Sequence, residues 1–212
     1  MAQKVILWDW DGTLVDSINT LHQVYNQTRG HFGMDEWTLE EAKTNIALSG
    51  REVFPRMFGE NAAEAEALFY KTYAELAPKN VQAKEGRAAM LEETCSKGVT
   101  HLLISNKRGD ILRAECKALG WEKYFKAIIG ANDAREDKPS PAPIALAYEQ
   151  ANLETSPEHY YIGDAPLDGQ TAKAAKIKSL LLAEETHGHD YLAPHGDEIM
   201  TYQNFRAWLL NL

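Results

Sequence analysis

Two acidic residues follow a short apolar run near the start of the chain. Asp9 and Asp11 stand two positions apart directly after Val5–Trp8, and Gly12 and Thr13 come next. Carboxylates this close repel each other at neutral pH, which favours a bound divalent cation, a proton on one of them, or both. Gly12 lets the backbone approach an anion closely. The alternative is an ordinary turn at a strand end, where Asp-Gly is common.

Three further segments carry polar residues near apolar runs or prolines. Ser105 and Asn106 follow an apolar run, where they could bind a phosphate at a helix N-terminus or simply cap that helix. Lys138 lies in a proline-rich segment, a setting that is also typical of a solvated lysine. Asp164 follows another apolar run, and Asp168 is a candidate N-cap for the next helix.

Short β-rich runs alternate with helical patterns along most of the chain, which predicts an α/β fold with a parallel sheet. The predicted strands are Lys4–Trp8, Thr100–Ile104, Lys126–Ile129, His159–Ile162, Lys178–Leu182 and, as a last candidate, Glu198–Met200. The predicted helices between them are Gly86–Lys97, Gly109–Leu119, Ala142–Ala151 and Gly169–Ala175.

One region breaks this alternation. Between Asp16 and about Gln82 only helical stretches appear, separated by glycine and proline. We therefore predict that residues 16–82 are a helical insert in a core made of residues 1–15 and 83–212. The helices predicted in the insert are Ile18–Arg29, Leu39–Ala47, Arg51–Phe58 and Ala62–Leu76.

Composition limits the classes of protein to which the chain can belong. The 212 residues carry 22 Lys+Arg against 31 Asp+Glu, a formal net charge of −9, which argues against a nucleic-acid partner. The longest apolar runs span only a few residues, so no membrane span is expected. Cys95 and Cys116 are the only cysteines, which excludes a disulfide framework and favours a reducing cytoplasm.

Taken together, these segments resemble the motifs of the haloacid dehalogenase superfamily of phosphotransferases. The resemblance spans about Lys4 to Leu182 and implies a three-layer, Rossmann-like core with a helical cap inserted early in the chain. The matching residues are Asp9-Trp10-Asp11-Gly12-Thr13, Ser105 with Asn106, Lys138, and Gly163-Asp164 with Asp168. The segments Ser105-Asn106-Lys107, Lys138–Pro143 and Thr186-His187-Gly188 are similar to phosphoglycolate-phosphatase-like members.

The resemblance implies a phosphatase that acts on a small phosphomonoester, phosphoglycolate-like or a sugar phosphate. Asp9 would be the nucleophile that forms a phosphoaspartate, and Asp11 the general acid and then base, protonated when substrate binds. Mg²⁺ would be held by the Asp9 carboxylate, the Asp11 backbone carbonyl and the Asp164 carboxylate, with Asp168 orienting the site. Lys138 would neutralise the phosphate.

The other expected contacts involve the phosphate oxygens and the leaving group. The residues implied to hold the phosphate are Gly12, Thr13, Ser105, Asn106 and Lys138. The insert would close as a lid and contact the rest of the substrate. The polar candidates in the insert are Ser49-Gly50-Arg51 and Arg56, although solvation at the surface is favoured for the two arginines. In the core, Lys107 and Arg108 could meet a substrate carboxylate or only add positive potential at the mouth of the site.

Several alternatives remain open at this point. A sugar phosphomutase of the same fold would return the phosphoryl group to a sugar, and a non-catalytic binding module is disfavoured because the acids and the lysine are all present. A dehalogenase suits the Asp11 and lysine set less well. His187-Gly188-His189 has the spacing of metal ligands, but a loop is favoured. We expect a monomer or a homodimer.

Overall fold

Strands and helices alternate through most of the chain and build one parallel sheet. The computed structural model describes residues 4–46, 49–183 and 187–210. Within them the strands are β1 (Val5–Trp8), β2 (Val15–Asp16), β3 (Gln82–Ala83), β4 (Thr100–Arg108), β5 (Phe125–Ala131), β6 (Tyr160–Gly163), β7 (Lys178–Leu182) and β8 (Glu198–Met200). Six of them form a parallel sheet in the order β5-β4-β1-β6-β7-β8. The predicted α/β fold is confirmed.

Helices cover both faces of this sheet, which is therefore the middle of three layers. The helices are α1 (Ile18–His31), α2 (Leu39–Asn45), α3 (Gly50–Phe58), α4 (Ala62–Asn80), α5 (Arg87–Ser96), α6 (Gly109–Ala118), α7 (Ala142–Ala151), α8 (Pro166–Ala174), α9 (His189–Leu192) and α10 (Tyr202–Leu210). The core on one face includes residues of α5, α6 and α10, and the core on the other includes residues of α7 and α8.

The strand β1 is central in the sheet, and both of its faces are buried. Ile6 and Trp8 belong to the core on the α5, α6 and α10 side, whereas Val5 and Leu7 belong to the opposite core. Side chains alternate between faces along a strand, so this apolar run fills both layers. Burying each of these side chains stabilises the fold by about 1.5–3 kcal/mol. The strand therefore fixes where the next residue, Asp9, emerges.

Among the element boundaries that differ from the sequence prediction, two lie at the edge of the sheet that carries Asp9. β4 continues through Ser105-Asn106-Lys107 to Arg108 rather than ending at Ile104, with a register shift against β5 in this stretch. The polar residues of this stretch do not continue the apolar pattern from which strands are predicted, so the sequence places the end of the strand too early. α8 begins at Pro166, as expected of a proline in the first helical turn. Asp168 therefore lies inside that turn, and the prediction that it is the N-cap is wrong.

The helices α1, α3 and α4 supply most of an apolar and aromatic cluster that is separate from the two cores of the sheet. In it the ring centroids of Tyr25 and Phe69 lie 4.4 Å apart. β2 and β3 pair antiparallel, so the chain enters and leaves this helical layer side by side. Both features support our proposal that residues 16–82 form a cap inserted into a core of residues 1–15 and 83–212.

The helices also bear on the expectations about a membrane span, the cysteines and the end of α2. Among the described residues, no helix combines the length and the apolar character that crossing a membrane requires. Cys95 and Cys116 lie on helices without forming a disulfide bond. The predicted helix Leu39–Ala47 is present as α2 and ends at Asn45, while Ala47 lies outside the described residues.

Buried His101 on β4 is expected to lower the stability of the protein in acid. Trp8 Nε1 donates a hydrogen bond to His101 Nδ1 at 2.9 Å, and Thr94 Oγ1 lies 2.9 Å from Nε2. Burial lowers the pKa of His101 from 6.5 to about 4. Between these values the unfolded chain binds a proton that the folded protein does not. The free energy of unfolding therefore falls as the pH drops through this window.

The substitution His101→Gln should remove this contribution. Between pH 7 and pH 4.5 the wild-type protein should lose about 2 kcal/mol more unfolding free energy than the variant loses. Urea unfolding at the two pH values measures this difference, with His31→Gln at an exposed position as the control. An equal loss in wild type and His101→Gln would show that His101 is not the group responsible.

Candidate active site

Segments from distant parts of the chain meet at the carboxyl end of the sheet. Asp9 directly follows β1, Ser105 lies near the end of β4, and Asp164 directly follows β6. Lys138, from the segment between β5 and α7, is buried at the same edge, where it contacts Asp9. In parallel sheets the loops at this edge commonly form ligand sites.

The ammonium group of Lys138 lies between two of the acidic residues. Its Nζ donates to Asp9 Oδ1 and to Asp168 Oδ1, both at 2.7 Å, and to the Tyr161 hydroxyl at 3.1 Å. Tyr161 in turn donates to the carbonyl oxygen of Ile104 at 2.9 Å. Lys138 is only 3% exposed, so solvent screens its charge little. These contacts direct a positive charge at the Asp9 carboxylate.

Three carboxylates lie beside this single ammonium group. One oxygen each from Asp9, Asp164 and Asp168 lies within 4.8 Å of the others, and all three residues are buried. Burial and the charge of Asp168 raise the pKa of Asp164 to about 7. Burial also raises the pKa of Asp9, against the lowering effect of Lys138. The cluster therefore lacks positive charge, and a divalent cation held by oxygen ligands would supply it.

Hydrogen bonds fix the orientation of these acids. Thr13 Oγ1 donates to Asp164 Oδ1 at 2.9 Å and lies 3.5 Å from Asp9 Oδ2. Asp168 Oδ2 accepts from the backbone N–H groups of Asp164 and Ala165, both at 3.1 Å. Because Asp168 Oδ1 is bonded to the Lys138 ammonium group, both oxygens of Asp168 have protein partners. This suits the orienting role that the family resemblance implies for Asp168.

The backbone after β1 makes a tight turn at Gly12. Its φ of 83° lies in the left-handed region that favours glycine, and a Cβ at this position would collide with the Asp164 carboxylate. Lys84 Nζ donates to the Gly12 carbonyl at 2.8 Å, and Arg87 Nε donates to the Thr13 carbonyl at 3.0 Å. Sequence reasoning missed Lys84 and Arg87, because neither belongs to a recognisable motif.

The two expected phosphate-binding residues on β4 both line the cavity but differ in their contacts. Asn106 Oδ1 accepts from the Lys138 N–H at 2.9 Å, and its Nδ2 donates to the Lys138 carbonyl at 3.1 Å. Ser105 is buried, and its Oγ accepts from the Lys107 N–H at 3.1 Å. The Asn106 side chain therefore positions the backbone of Lys138.

Asp11 belongs to a buried charge network that the sequence analysis did not identify. Asp11 Oδ1 accepts from Lys107 Nζ at 2.7 Å and from the Ser17 hydroxyl. Lys107 Nζ also donates to Glu115 Oε2 at 2.5 Å, and Trp10 Nε1 donates to the same oxygen at 2.6 Å. Asp11 and Glu115 therefore share one ammonium group, that of the buried Lys107.

Glu115 was identifiable in principle from its place on α6. It lies four positions after Ile111 and next to Cys116, on the helix face that is otherwise apolar. A buried carboxylate in such a face needs a charged partner, and Lys107 provides it. Lys107 is thus engaged with Asp11 and Glu115 rather than extended toward solvent at the mouth of the site.

A cavity of about 1010 Å³ lies between the sheet edge and the helices α1, α2 and α4. Its floor contains Asp9, Asp11 and Lys138. The helical side is largely apolar and aromatic, and the residues lining it there include Ile18, Leu21, Tyr25, Leu39, Ile46, Phe69, Tyr70 and Tyr73. A cavity of this size accommodates a substrate with a substantial leaving group.

The polar candidates of the insert have different positions. Arg51 contacts the segment before Lys138: its guanidinium donates to the Ala134 and Arg135 carbonyls at 3.3 and 3.2 Å and lies 3.5 Å from Asp137 Oδ2. Gly50 lines the cavity. The remaining two candidates, the buried Ser49 and the exposed Arg56, are not among its lining residues.

The other candidates from the sequence are Arg108 and the segment His187-Gly188-His189. Arg108 makes a two-point ion pair with Asp110 at 2.6 and 2.7 Å, and its guanidinium lies 4.0 Å from the centre of the Tyr70 ring. His187 lines the cavity, whereas His189 is exposed. Within the described ranges, neither histidine belongs to a group able to hold a metal. Thr186 lies outside the described residues.

Comparison with known proteins gives the family of the chain. The model of the haloacid dehalogenase-like hydrolases matches residues 6–182. A phosphoglycolate phosphatase of Colwellia psychrerythraea is 30% identical over 94% of this chain and 90% of that protein. One from Xanthomonas campestris is 27% identical over 84% of this chain and 81% of that protein. A crystal structure of a predicted phosphatase from Clostridium acetobutylicum covers 100% of both chains with a TM-score of 0.89 at 18% identity, which shows a shared fold.

The chain therefore belongs to the haloacid dehalogenase-like hydrolases. Within that family it resembles the phosphoglycolate phosphatases and is a phosphoric monoester hydrolase. The family resemblance inferred from the motifs is confirmed.

Proposed function

We propose that the protein is a Mg²⁺-dependent phosphatase that hydrolyses a small phosphomonoester, phosphoglycolate-like or a sugar phosphate, through a phosphoaspartate. The observation that carries this proposal is the direct contact of Lys138 Nζ with Asp9 Oδ1 at 2.7 Å inside a buried acidic cluster. A carboxylate in such a site is a competent nucleophile toward phosphorus, since the ammonium group offsets the charge of the incoming phosphate.

Asp9 carries the covalent step. An oxygen of its carboxylate attacks phosphorus, and the bond from phosphorus to the leaving alcohol breaks as the acyl phosphate forms. Water then attacks the same phosphorus, and the bond from phosphorus to Asp9 breaks, which releases inorganic phosphate and restores the carboxylate. Lys138 stays beside Asp9 and stabilises the charge on the transferring group in both steps.

Asp11 serves as the acid and base of these two steps. It gives a proton to the leaving alkoxide and takes one from the attacking water. Asp11 Oδ1 accepts hydrogen bonds from Lys107 and Ser17, so the transferred proton is carried by Oδ2. Lys107 and Ser17 thereby set which oxygen of Asp11 takes part.

The acidic cluster fits a magnesium ion. Buried carboxylate oxygens from Asp9 and Asp164, together with the Asp11 backbone carbonyl, are the hard ligands that Mg²⁺ prefers. Burial and the neighbouring charge of Asp168 raise the pKa of Asp164 to about 7, and a bound cation would favour the carboxylate form that binds it. When bound, Mg²⁺ polarises the phosphoryl group and offsets its charge. Ser105 and the N–H groups around Gly12 would hold the remaining oxygens of the phosphate.

Removing magnesium is expected to stop catalysis reversibly. Phosphate release from p-nitrophenyl phosphate, 2-phosphoglycolate and a panel of sugar phosphates should require Mg²⁺, stop in EDTA and return when Mg²⁺ is added back. Calorimetric titration should show that Asp164→Asn weakens Mg²⁺ binding, while Asp190→Asn, at an exposed position, leaves it unchanged. Full activity in EDTA, or no multiple-turnover release from any of these esters, would overturn the proposed function.

A further inference from the structure

One wall of the cavity next to Asp11 is formed by the first turn of α1. Ser17, the residue before this helix, donates to Asp11 Oδ1, so the start of the helix lies beside the proposed acid. Ile18 and Leu21 line the cavity from this turn, and both are half-buried. Residues three apart share a helix face, so these two side chains present one apolar surface.

A second, aromatic wall comes from α4. Phe69, Tyr70 and Tyr73 line the cavity. Lys107 Nζ, which contacts Asp11, lies 5.4 Å from the centre of the Tyr73 ring, so this wall also reaches the proposed acid. Tyr25 of α1 lies 4.4 Å from Phe69, between ring centroids, and joins the two walls. The space beside Asp11 is therefore bounded by aliphatic and aromatic side chains on two sides.

The cations around this space already have acceptors. Besides Lys138 on the phosphate side, the described lysines and arginines that line the cavity are Lys43, Lys84, Lys107 and Arg108. Each of these four donates a hydrogen bond to a carboxylate or carbonyl oxygen at 2.5 to 2.8 Å. Asp16 and Glu85 also line the cavity and are exposed. A carboxylate on the leaving group would have to compete for a paired cation and face these acids.

We infer that the site takes a phosphomonoester whose leaving group is uncharged and presents an apolar, ring-sized face to α1 and α4. This inference rests on the proposed function, since the phosphate must lie at Asp9 for the leaving group to lie at these walls. The cavity of about 1010 Å³ is at the upper end of the usual range for ligand pockets, about 300–1,000 Å³. Burial of an apolar ring against aliphatic and aromatic side chains contributes binding energy roughly in proportion to area.

Three esters test the inference in the wild-type protein. Isobutyl phosphate matches the size of 2-phosphoglycolate but carries no carboxylate, and cyclohexylmethyl phosphate extends its apolar face. We expect kcat/KM to rise in the order 2-phosphoglycolate, isobutyl phosphate, cyclohexylmethyl phosphate, with at least about tenfold between the first and the last. A preference for 2-phosphoglycolate over both neutral esters would overturn the inference and leave the proposed function intact.

A charge placed on the apolar wall should reverse this order. Leu21→Lys should lower kcat/KM for cyclohexylmethyl phosphate about tenfold and raise the ratio of 2-phosphoglycolate to cyclohexylmethyl phosphate by more than that. Gln23→Lys, at an exposed position of α1 outside the cavity lining, adds the same charge and should leave the ratio unchanged. The ratio of two esters in one protein cancels differences in the active fraction of protein. Comparing this ratio between the variants and the wild type also cancels the difference in the intrinsic reactivity of the esters.

The outcomes separate the two proposals. Unaltered ester ratios in a folded Leu21→Lys protein would contradict the inference about the leaving group. Absence of Mg²⁺-dependent release from all three esters and from p-nitrophenyl phosphate would instead contradict the phosphatase proposal itself. Thermal unfolding of each variant establishes that the protein is folded, and Leu39→Lys, from the cavity wall on α2, provides a second position for the same reversal.

Discussion

The substitution Asp9→Asn is expected to abolish phosphate release, with a loss in kcat/KM of about 10⁴-fold or more. The amide retains the shape of the carboxylate but is a poor nucleophile, so no acyl phosphate forms. It also removes the negative charge that faces Lys138 Nζ at 2.7 Å. Steady-state release of inorganic phosphate from p-nitrophenyl phosphate measures the loss.

Two controls tie this loss to the nucleophile. Asp35→Asn, at an exposed position on the insert, should retain wild-type rates. Acid quenching during turnover followed by mass spectrometry should find a phosphoryl group on the wild-type chain but none on Asp9→Asn. Near-normal activity of Asp9→Asn, or a phosphoryl group on another residue, would show that the nucleophile is misassigned.

The sequence predicts those residues of the site that directly follow a strand. Asp9 and Asp164 each follow a run of apolar residues, and such runs are typical of strands that are buried on both faces. Parallel strands end at one edge, so residues directly after them must be close together. The position of Asp9 and Asp164 therefore follows from local pattern together with one topological rule.

Lys138 shows where this reasoning stops. It lies in a loop, and its placement depends on two hydrogen bonds between its backbone and the Asn106 side chain, 32 positions away in the chain. Propensity and periodicity describe neighbours in sequence, so they cannot register such a contact. Only the family resemblance assigned a role to Lys138 before the structure was considered.

The charge network around Asp11 was missed for a related reason. Glu115 bonds the Trp10 indole across 105 positions, and Tyr73 of α4 lies 3.3 Å from Glu115 Oε1. Each of these residues has an ordinary place in its own helix or loop. Their meeting depends on how α4 packs on α6, a property of the tertiary structure. The apolar walls of the cavity depend on the same packing, so the sequence could not identify them. It suggested polar residues for the leaving-group contacts instead.

The substitution Lys138→Met is expected to reduce kcat/KM by about 10²–10³-fold. Methionine fills a similar volume without the charge, so the incoming phosphate meets the carboxylates of Asp9 and Asp168 with one cation fewer. The same change leaves two buried acids without their ammonium partner. Breaking a buried ion pair in this way typically destabilises the fold by about 3–5 kcal/mol. Phosphate release and urea unfolding measure the two effects separately.

A double variant distinguishes the catalytic contribution of Lys138 from its structural one. Lys138→Met combined with Asp168→Asn removes one of the unpaired charges, so the free energy of unfolding should recover in part. Activity should not recover, because the positive charge beside Asp9 is still missing. Lys117→Met, at an exposed position of α6, serves as the matched control and should change neither quantity. Recovery of activity together with stability would mean that Lys138 acts on the reaction only by maintaining the fold of the site.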